Sequence, residues 1–172
     1  MKKMIAAALC LLLCSSMLAC TSEDAPQETQ GKEIEYQSGY LFSYKGEDIS
    51  VGDEAAPVLQ ILGEASNKIV QTGCANFDGM KETVYFYSSF QVIAHEMNGK
   101  EIITTIYLED DSITTKEGIC IGDSAEKVLS TYGTKDSASA ENNLIFTKGD
   151  MTLQFIIEDS SVTAITYLLT VA

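Results

Sequence analysis

The chain has 172 residues, with 25 acidic side chains against 11 basic ones and a formal charge of −14 at neutral pH. Every basic residue is a lysine. No guanidinium exists for bidentate phosphate recognition, so composition argues against a nucleic-acid partner. The length suits one compact domain, or two small halves sharing a core, and the acidity suits a soluble, surface-tethered one.

The chain opens with Met1, two lysines, an apolar run from Met4 to Leu13, and then Ser15-Ser16-Met17-Leu18-Ala19-Cys20. This pattern reads as a signal peptide over residues 1–19 rather than a membrane span. Its end resembles the bacterial lipoprotein box: apolar Met17, Leu18, small Ala19, then the cysteine that receives lipid. The resemblance implies that Cys20 is the lipidated first residue of a mature protein anchored to the membrane on its extracytoplasmic face. Loss of Lys2 and Lys3 takes the formal charge from −14 to −16. Residues 20–38 are almost free of apolar side chains and carry the composition of a solvated, polar tether.

From residue 39 the sequence repeats itself. Ile49 to Gly63 reads ISVGDEAAPVLQILG, and seventy positions on, Ile119 to Gly133 reads ICIGDSAEKVLSTYG. Each copy has a β-like lead-in, a Gly-Asp pair, apolar residues at helical spacing and a closing glycine. Ala55, Val58, Leu59 and Leu62 form one stripe; Ala125, Val128, Leu129 and Tyr132 form the other. Asp123 is the expected cap of the second helix, with Glu126 reaching back to it and Gly133 ending the helix in the left-handed conformation. Pro57 falls in the opening turn of the first helix, where a missing N–H is tolerated.

Around these helices the elements follow in order. Tyr40 to Tyr44 reads as a strand, closed by a turn over Lys45-Gly46-Glu47-Asp48. Asn67 to Thr72 reads as a short strand and Gly73 to Gly79 as a loop. Three strands follow, Thr83 to Tyr87, Phe90 to His95 and Glu101 to Leu108, the last two joined by the tight-hairpin signal Asn98-Gly99. A second set covers Asn143 to Thr147, Met151 to Ile157 and Val162 to about Thr170, with period-2 alternation along Met151, Leu153, Phe155 and Ile157. The expected fold is α+β, with two tandem helix-plus-antiparallel-meander repeats over residues 39–109 and 110–172.

A glycine-capped helix opened by I-x-x-G-x-S/D-x-x-x-V-L and followed by an antiparallel meander resembles the tandem-repeat β-lactamase inhibitory protein fold and the related outer-membrane assembly lipoprotein domain. A closer likeness is to uncharacterised surface lipoproteins of Gram-positive bacteria. It rests on Cys74-Ala75 with an aromatic beyond Asn76, Tyr85-Phe86-Tyr87, the connector Asp110 to Ile119, and the helix unit Ile121 to Gly133. These resemblances imply the repeat fold and supply no catalytic residue.

Enzyme chemistry finds no motif. His95 is the one histidine, with no cysteine or histidine at metal-ligand spacing and no nucleophile elbow to serve, and it reads as a surface residue. Glu109-Asp110-Asp111 and Asp53-Glu54 lack the alternation of a calcium loop, and no phosphate-cradling glycine pattern occurs. No metal and no cofactor are expected. The aromatic group Tyr85, Phe86, Tyr87 and Phe90 is the candidate binding face, the alternative being that these side chains are core. Two function classes follow: a noncatalytic binding module for an envelope protein or polymer, or a proteinaceous enzyme inhibitor of the β-lactamase-inhibitor type. Outside the cytoplasm, Cys74 and Cys120 are the two thiols left to pair as a disulfide. The alternative is that Cys120 is a small buried residue and Cys74 is unpaired.

Overall fold

The computed structural model describes residues 39–136 and 139–170, apart from the Ala75 side chain. Cys20, the signal segment and the tether lie outside the described residues. β1 (Phe42–Tyr44) and β2 (Glu47–Ile49) form a small hairpin across Lys45-Gly46, both at positive φ (52° and 88°). Glu47 and Asp48 are strand, not turn as the sequence suggests. Two residues of this geometry already reverse the chain, and the shorter turn delivers Ile49 into the core at 1% exposure.

Next come α1 (Ala55–Leu62), β3 (Asn67–Thr72) and a short 3-10 turn at Ala75–Phe77. β4 (Lys81–Phe86), β5 (Phe90–Met97) and β6 (Lys100–Leu108) make an antiparallel meander. After a connector, α2 (Ala125–Tyr132) leads to β7 (Asn143–Lys148), β8 (Met151–Glu158) and β9 (Ser161–Leu169), a second meander. The two join into one seven-stranded sheet of order β3-β4-β5-β6-β9-β8-β7. The seam is β6 against β9, from Thr105↔Leu168 to Leu108↔Ile165. The protein is thus α+β, two short helices on an antiparallel sheet.

Side-chain alternation sets which face of the sheet is dry. Met151, Leu153, Phe155 and Ile157 are buried while Thr152, Gln154 and Ile156 are only half covered. On the dry face the sheet meets Phe42, Ile49 and Val51, the α1 residues Ala55, Val58 and Leu62, and Ile119 and Val128 in one cluster. Each meander carries a bulge in its third strand: the register skips Thr104 in β6 and Thr163 in β9.

Both helices end at a glycine of positive φ, Gly63 (82°) and Gly133 (81°), whose N–H donates to the carbonyl four residues back. Their ψ values, −163° and −134°, are extended rather than left-handed helical, so the expected C-cap conformation is corrected while the need for glycine stands. The N-cap expectation is corrected too. Ser124, not Asp123, caps α2, accepting the Lys127 N–H at 3.2 Å. The second apolar stripe is narrower than the first, with Leu129 38% exposed. Tyr132, in the place of Leu62, spans the gap instead, its ring 5.2 Å from Phe146 and 5.3 Å from Phe155.

Tyr167 is fully buried in β9, and its hydroxyl has no hydrogen-bond partner among the described residues. An unsatisfied buried hydroxyl costs on the order of 1–3 kcal/mol. Tyr167→Phe should therefore raise the unfolding free energy in urea by about 1 kcal/mol. A loss of that size would show that the hydroxyl is bonded in solution.

Candidate functional site

The aromatic group does not form an open face. Tyr85, Tyr87 and Phe90 are 6%, 9% and 1% exposed, and only Phe86 is half covered. The correction follows from the pleat and its surroundings. Tyr85 is roofed by the Lys68 ammonium 4.8 Å from its ring and donates to Glu101 Oε2 at 2.9 Å. Burial first, then that carboxylate, push its phenol well above the ordinary range. Tyr87 stacks on Phe90 at 4.7 Å and points its hydroxyl to Gly63 O at 3.3 Å.

These two rings nevertheless help line a surface cavity of about 540 Å³. Its rim carries Tyr44, Ser66, Ser88, Ser89 and Ser112, with Lys45 and Glu64 beside them. Asp110 Oδ1 accepts the Ser112 hydroxyl and, at 2.9 Å, the Ser112 N–H, and Ser89 Oγ lies 2.8 Å from Ser112 Oγ. Those bonds, Ser112's first, hold the Asp110 carboxyl below its usual range. An ionised carboxylate of lowered basicity is a poor base for activating a serine hydroxyl. Hydroxyl donors and acceptors over an aromatic floor instead suit a polar, uncharged ligand. The sequence signal for this site is the Tyr-Ser-Ser-Phe run from Tyr87 to Phe90, read above only for its aromatics.

His95 is a further correction: it is not a surface residue but 3% exposed. Phe77 from the loop before β4 stacks on its ring at 4.2 Å. Gly73 lies so close that a Cβ there would sit 2.8 Å from Nε2, so this loop closes over the histidine only with glycine at that position. Thr104 Oγ1 donates to Ile93 O at 3.3 Å, and its oxygen lies 2.7 Å from Nδ1. Nε2 lies 3.1 Å from Glu82 Oε2 without the alignment of a ring N–H hydrogen bond. Burial lowers the imidazole pKa below 6.5; Glu82 pulls it back up, and burial wins. Thr104 is itself fully buried, so this group fastens the β6 bulge and presents no nucleophile to substrate.

The Gly-Asp pairs have a shared duty that the sequence only half discloses. Asp53 Oδ2 accepts the Ser50 N–H at 2.8 Å, and Asp123 Oδ2 accepts the Cys120 N–H at 2.8 Å. Each turn then docks on a third strand. Gly52 N–H donates to Ile103 O and Gly122 N–H to Val162 O, at 2.7 and 2.8 Å. They differ in one respect: Lys127 Nζ sits 2.7 Å from Asp123 Oδ2 and 3.1 Å from Gly118 O, whereas Pro57 occupies its place in α1. The lysine lowers the Asp123 pKa most, and the Cys120 N–H adds to it.

Cys74 and Cys120 are both free thiols, so the expected disulfide is not formed. Cys74 follows β3 at the sheet edge, while the Cys120 turn docks on β9. β3 and β9 are separated by β4, β5 and β6, four strand spacings or roughly 19 Å, against the 7 Å or so that a disulfide allows between Cα atoms. The Cys120 thiol is instead turned to Asp123 Oδ2 at 3.5 Å. Among the described residues no group of three or more metal-ligating side chains is assembled. Neither a protein-family model nor a curated protein matches the sequence. Among solved structures, an extracellular protein containing an SCP domain from Bacillus anthracis str. Ames matches at a TM-score of 0.41 and 14% identity, over 69% of this chain. The match spans 43% of that chain.

Burial raises the Cys120 thiol pKa, Asp123 adds to the effect, and Cys74 is exposed. Iodoacetamide at pH 8 should thus alkylate Cys74 well before Cys120, because the thiolate is the nucleophile. Peptide mapping of a time course reads the order, and equal rates would contradict the burial of Cys120.

The His95 shift also has a pH consequence. Its folded pKa is depressed, so the unfolded chain binds the proton more tightly. Its contribution to stability is complete above about pH 6.5 and is lost as pH falls through the lower folded value. Urea midpoints measured across that window should fall for the wild type and flatten in His95→Gln. An unchanged slope in the variant would assign the effect to other groups.

Proposed function

We propose that this chain is an extracytoplasmic lipoprotein, held to the membrane through an acylated Cys20 and acting as a noncatalytic binding module for an envelope protein or polymer. The observation that carries the binding reading is the hydroxyl-rimmed cavity beside Tyr87 and Phe90, large enough for a small ligand or a projecting group of a larger one. The domain itself is a tandem duplication of a helix-plus-meander unit, akin to the β-lactamase inhibitory protein fold and to Gram-positive surface lipoproteins. Supporting it are the equal aspartate turns, the equal docking of each Gly-Asp pair on a third strand, and the two meanders meeting at β6 and β9. Among the described residues no helix is long and apolar enough to cross a membrane. One acyl chain holds a protein only marginally, so stable anchoring calls for more than one.

Two measurements test this reading. Mass spectrometry of membrane-extracted protein should find a diacylated or triacylated N-terminal Cys20, and Cys20→Ala should move the protein to the soluble fraction. An unmodified wild type distributed like the variant would end the lipoprotein reading. Purified envelope fragments should co-sediment the wild type, and Ser88→Trp, which fills the cavity from an exposed position, should lose co-sedimentation by tenfold or so while keeping its melting temperature. Dose-dependent inhibition of a β-lactamase panel, with no envelope binding, would favour the inhibitor reading instead.

A further inference from the structure

A second cavity, about 270 Å³, lies against the first turn of α1 and shares no lining residue with the hydroxyl-rimmed one. Pro57, Val58 and Ile61 supply its apolar wall, and Asp48, Asp53 and Glu54 its carboxylates. Each of these positions has a counterpart seventy residues later, and there the space is filled. Lys127, at the position of Pro57, lays its ammonium on Asp123 Oδ2 and Gly118 O. The two frames superpose by their own hydrogen bonds, since Asp53 and Asp123 each accept the N–H three residues back at 2.8 Å. Asp53 therefore presents the carboxylate that holds an ammonium in the second frame, but its own helix has no lysine to supply one.

The neighbouring acids are already matched. Asp48 pairs with Lys116, and Glu54 lies 3.5 Å from Lys100 Nζ. No ion pair among the described residues includes Asp53. Glu54 stands at the N-cap of α1 yet makes no side-chain cap bond, because Pro57 at the third helical position has no N–H to offer. The proline thus removes both the internal ammonium and the competing use of the cap.

We propose that this cavity receives the side chain of a lysine presented by a partner polypeptide. The ammonium lies on Asp53, and the methylene stem lies along Pro57, Val58 and Ile61. A compact ammonium on an aliphatic stem fits a charged rim over an apolar wall, and the second frame holds a lysine ammonium on the equivalent aspartate. A polypeptide, rather than a free amine, is favoured by Ile61, 39% exposed at the same wall and available to residues flanking the lysine. The strongly acidic chain also steers a basic partner towards it.

The test is a titration of the 15N-labelled protein with acetyl-Gly-Lys-Gly-amide and with its norleucine counterpart, followed in 1H–15N correlation spectra. The lysine peptide should shift the amides of Asp53, Glu54 and Ile61, leave Ser88 and Ser89 unmoved, and outbind the norleucine peptide. Asp53→Asn should weaken binding about tenfold, the order expected for a lost charge-assisted hydrogen bond. Pro57→Lys should place an internal lysine on Asp53 and abolish the shifts while the remaining spectrum stays folded. Equal response to the two peptides, no response up to the peptide's solubility limit, or undiminished binding in Pro57→Lys would each overturn the proposal. None of these results bears on the envelope-fragment assay, which reads the other cavity.

Discussion

Four cross-strand pairs between β6 and β9, Thr105 to Leu108 against Ile165 to Leu168, turn two meanders into one sheet. Parted at this seam they would be a four-stranded piece, β3 to β6, and a three-stranded one, β7 to β9, each with a dry face and an unpaired inner edge, a marginal and aggregation-prone object. Joined, they place Ile106, Leu108, Ile165 and Tyr167, all fully buried, along the middle of the dry face. That burial also locks the seam's register. A slip by one residue would carry Thr105, Tyr107, Thr166 and Leu168 into the core and the four apolar side chains out of it. The same two strands receive the Gly-Asp turns, through Ile103 O on β6 and Val162 O on β9. The helices are therefore positioned by the strands that hold the halves together.

The aspartate of each turn fixes a carboxylate at a helix entrance by accepting a backbone N–H, and this is independent of what the helix then carries. What varies is the third helical residue. With lysine there, the side chain folds back on the aspartate and the N–H goes to Ser124; with proline there, neither bond exists and Glu54 is released to Lys100. As a contribution to stability the exposed Asp123–Lys127 pair is worth only a few tenths of a kcal/mol. Its information lies in geometry, since it marks where an ammonium fits.

The repeated Ile-x-x-Gly-Asp frame, the Asn98-Gly99 turn and the alternation in β8 were legible because they are local, and each dictates its own backbone within a few residues. Strand bounds accordingly differ from the sequence reading by only a residue or two, as with Lys81–Phe86 against Thr83 to Tyr87. What the sequence hid is set by distant partners. His95 becomes buried because Phe77, eighteen positions earlier, folds over it. Tyr85 and Tyr87 become core on account of Lys68, Glu101 and Gly63. The cysteines looked pairable when only their count was visible, and strand order separates them. In the candidate site the aromatics were visible and the serines were not, since isolated serines carry no pattern until a cavity gathers them.

β3 shows how an element persists without a core. All six of its residues are exposed, Ile69 and Val70 included, so apolar burial contributes little to holding it. Its pairing with β4 is instead extended by a polar row that crosses the strands. Gln71 donates to Glu82, Glu82 lies beside His95, and His95 bonds Thr104 at the β6 bulge. Lys68 adds its ammonium over the Tyr85 ring. The loop that follows β3 is clamped at the same place, by Phe77 on His95 and by the close approach of Gly73. One histidine thus secures the outer strand, its loop and the bulge together. With so little apolar area beneath it, this corner is the part of the sheet whose opening costs least, and protonation of His95 acts on that corner before it reaches the β6–β9 seam.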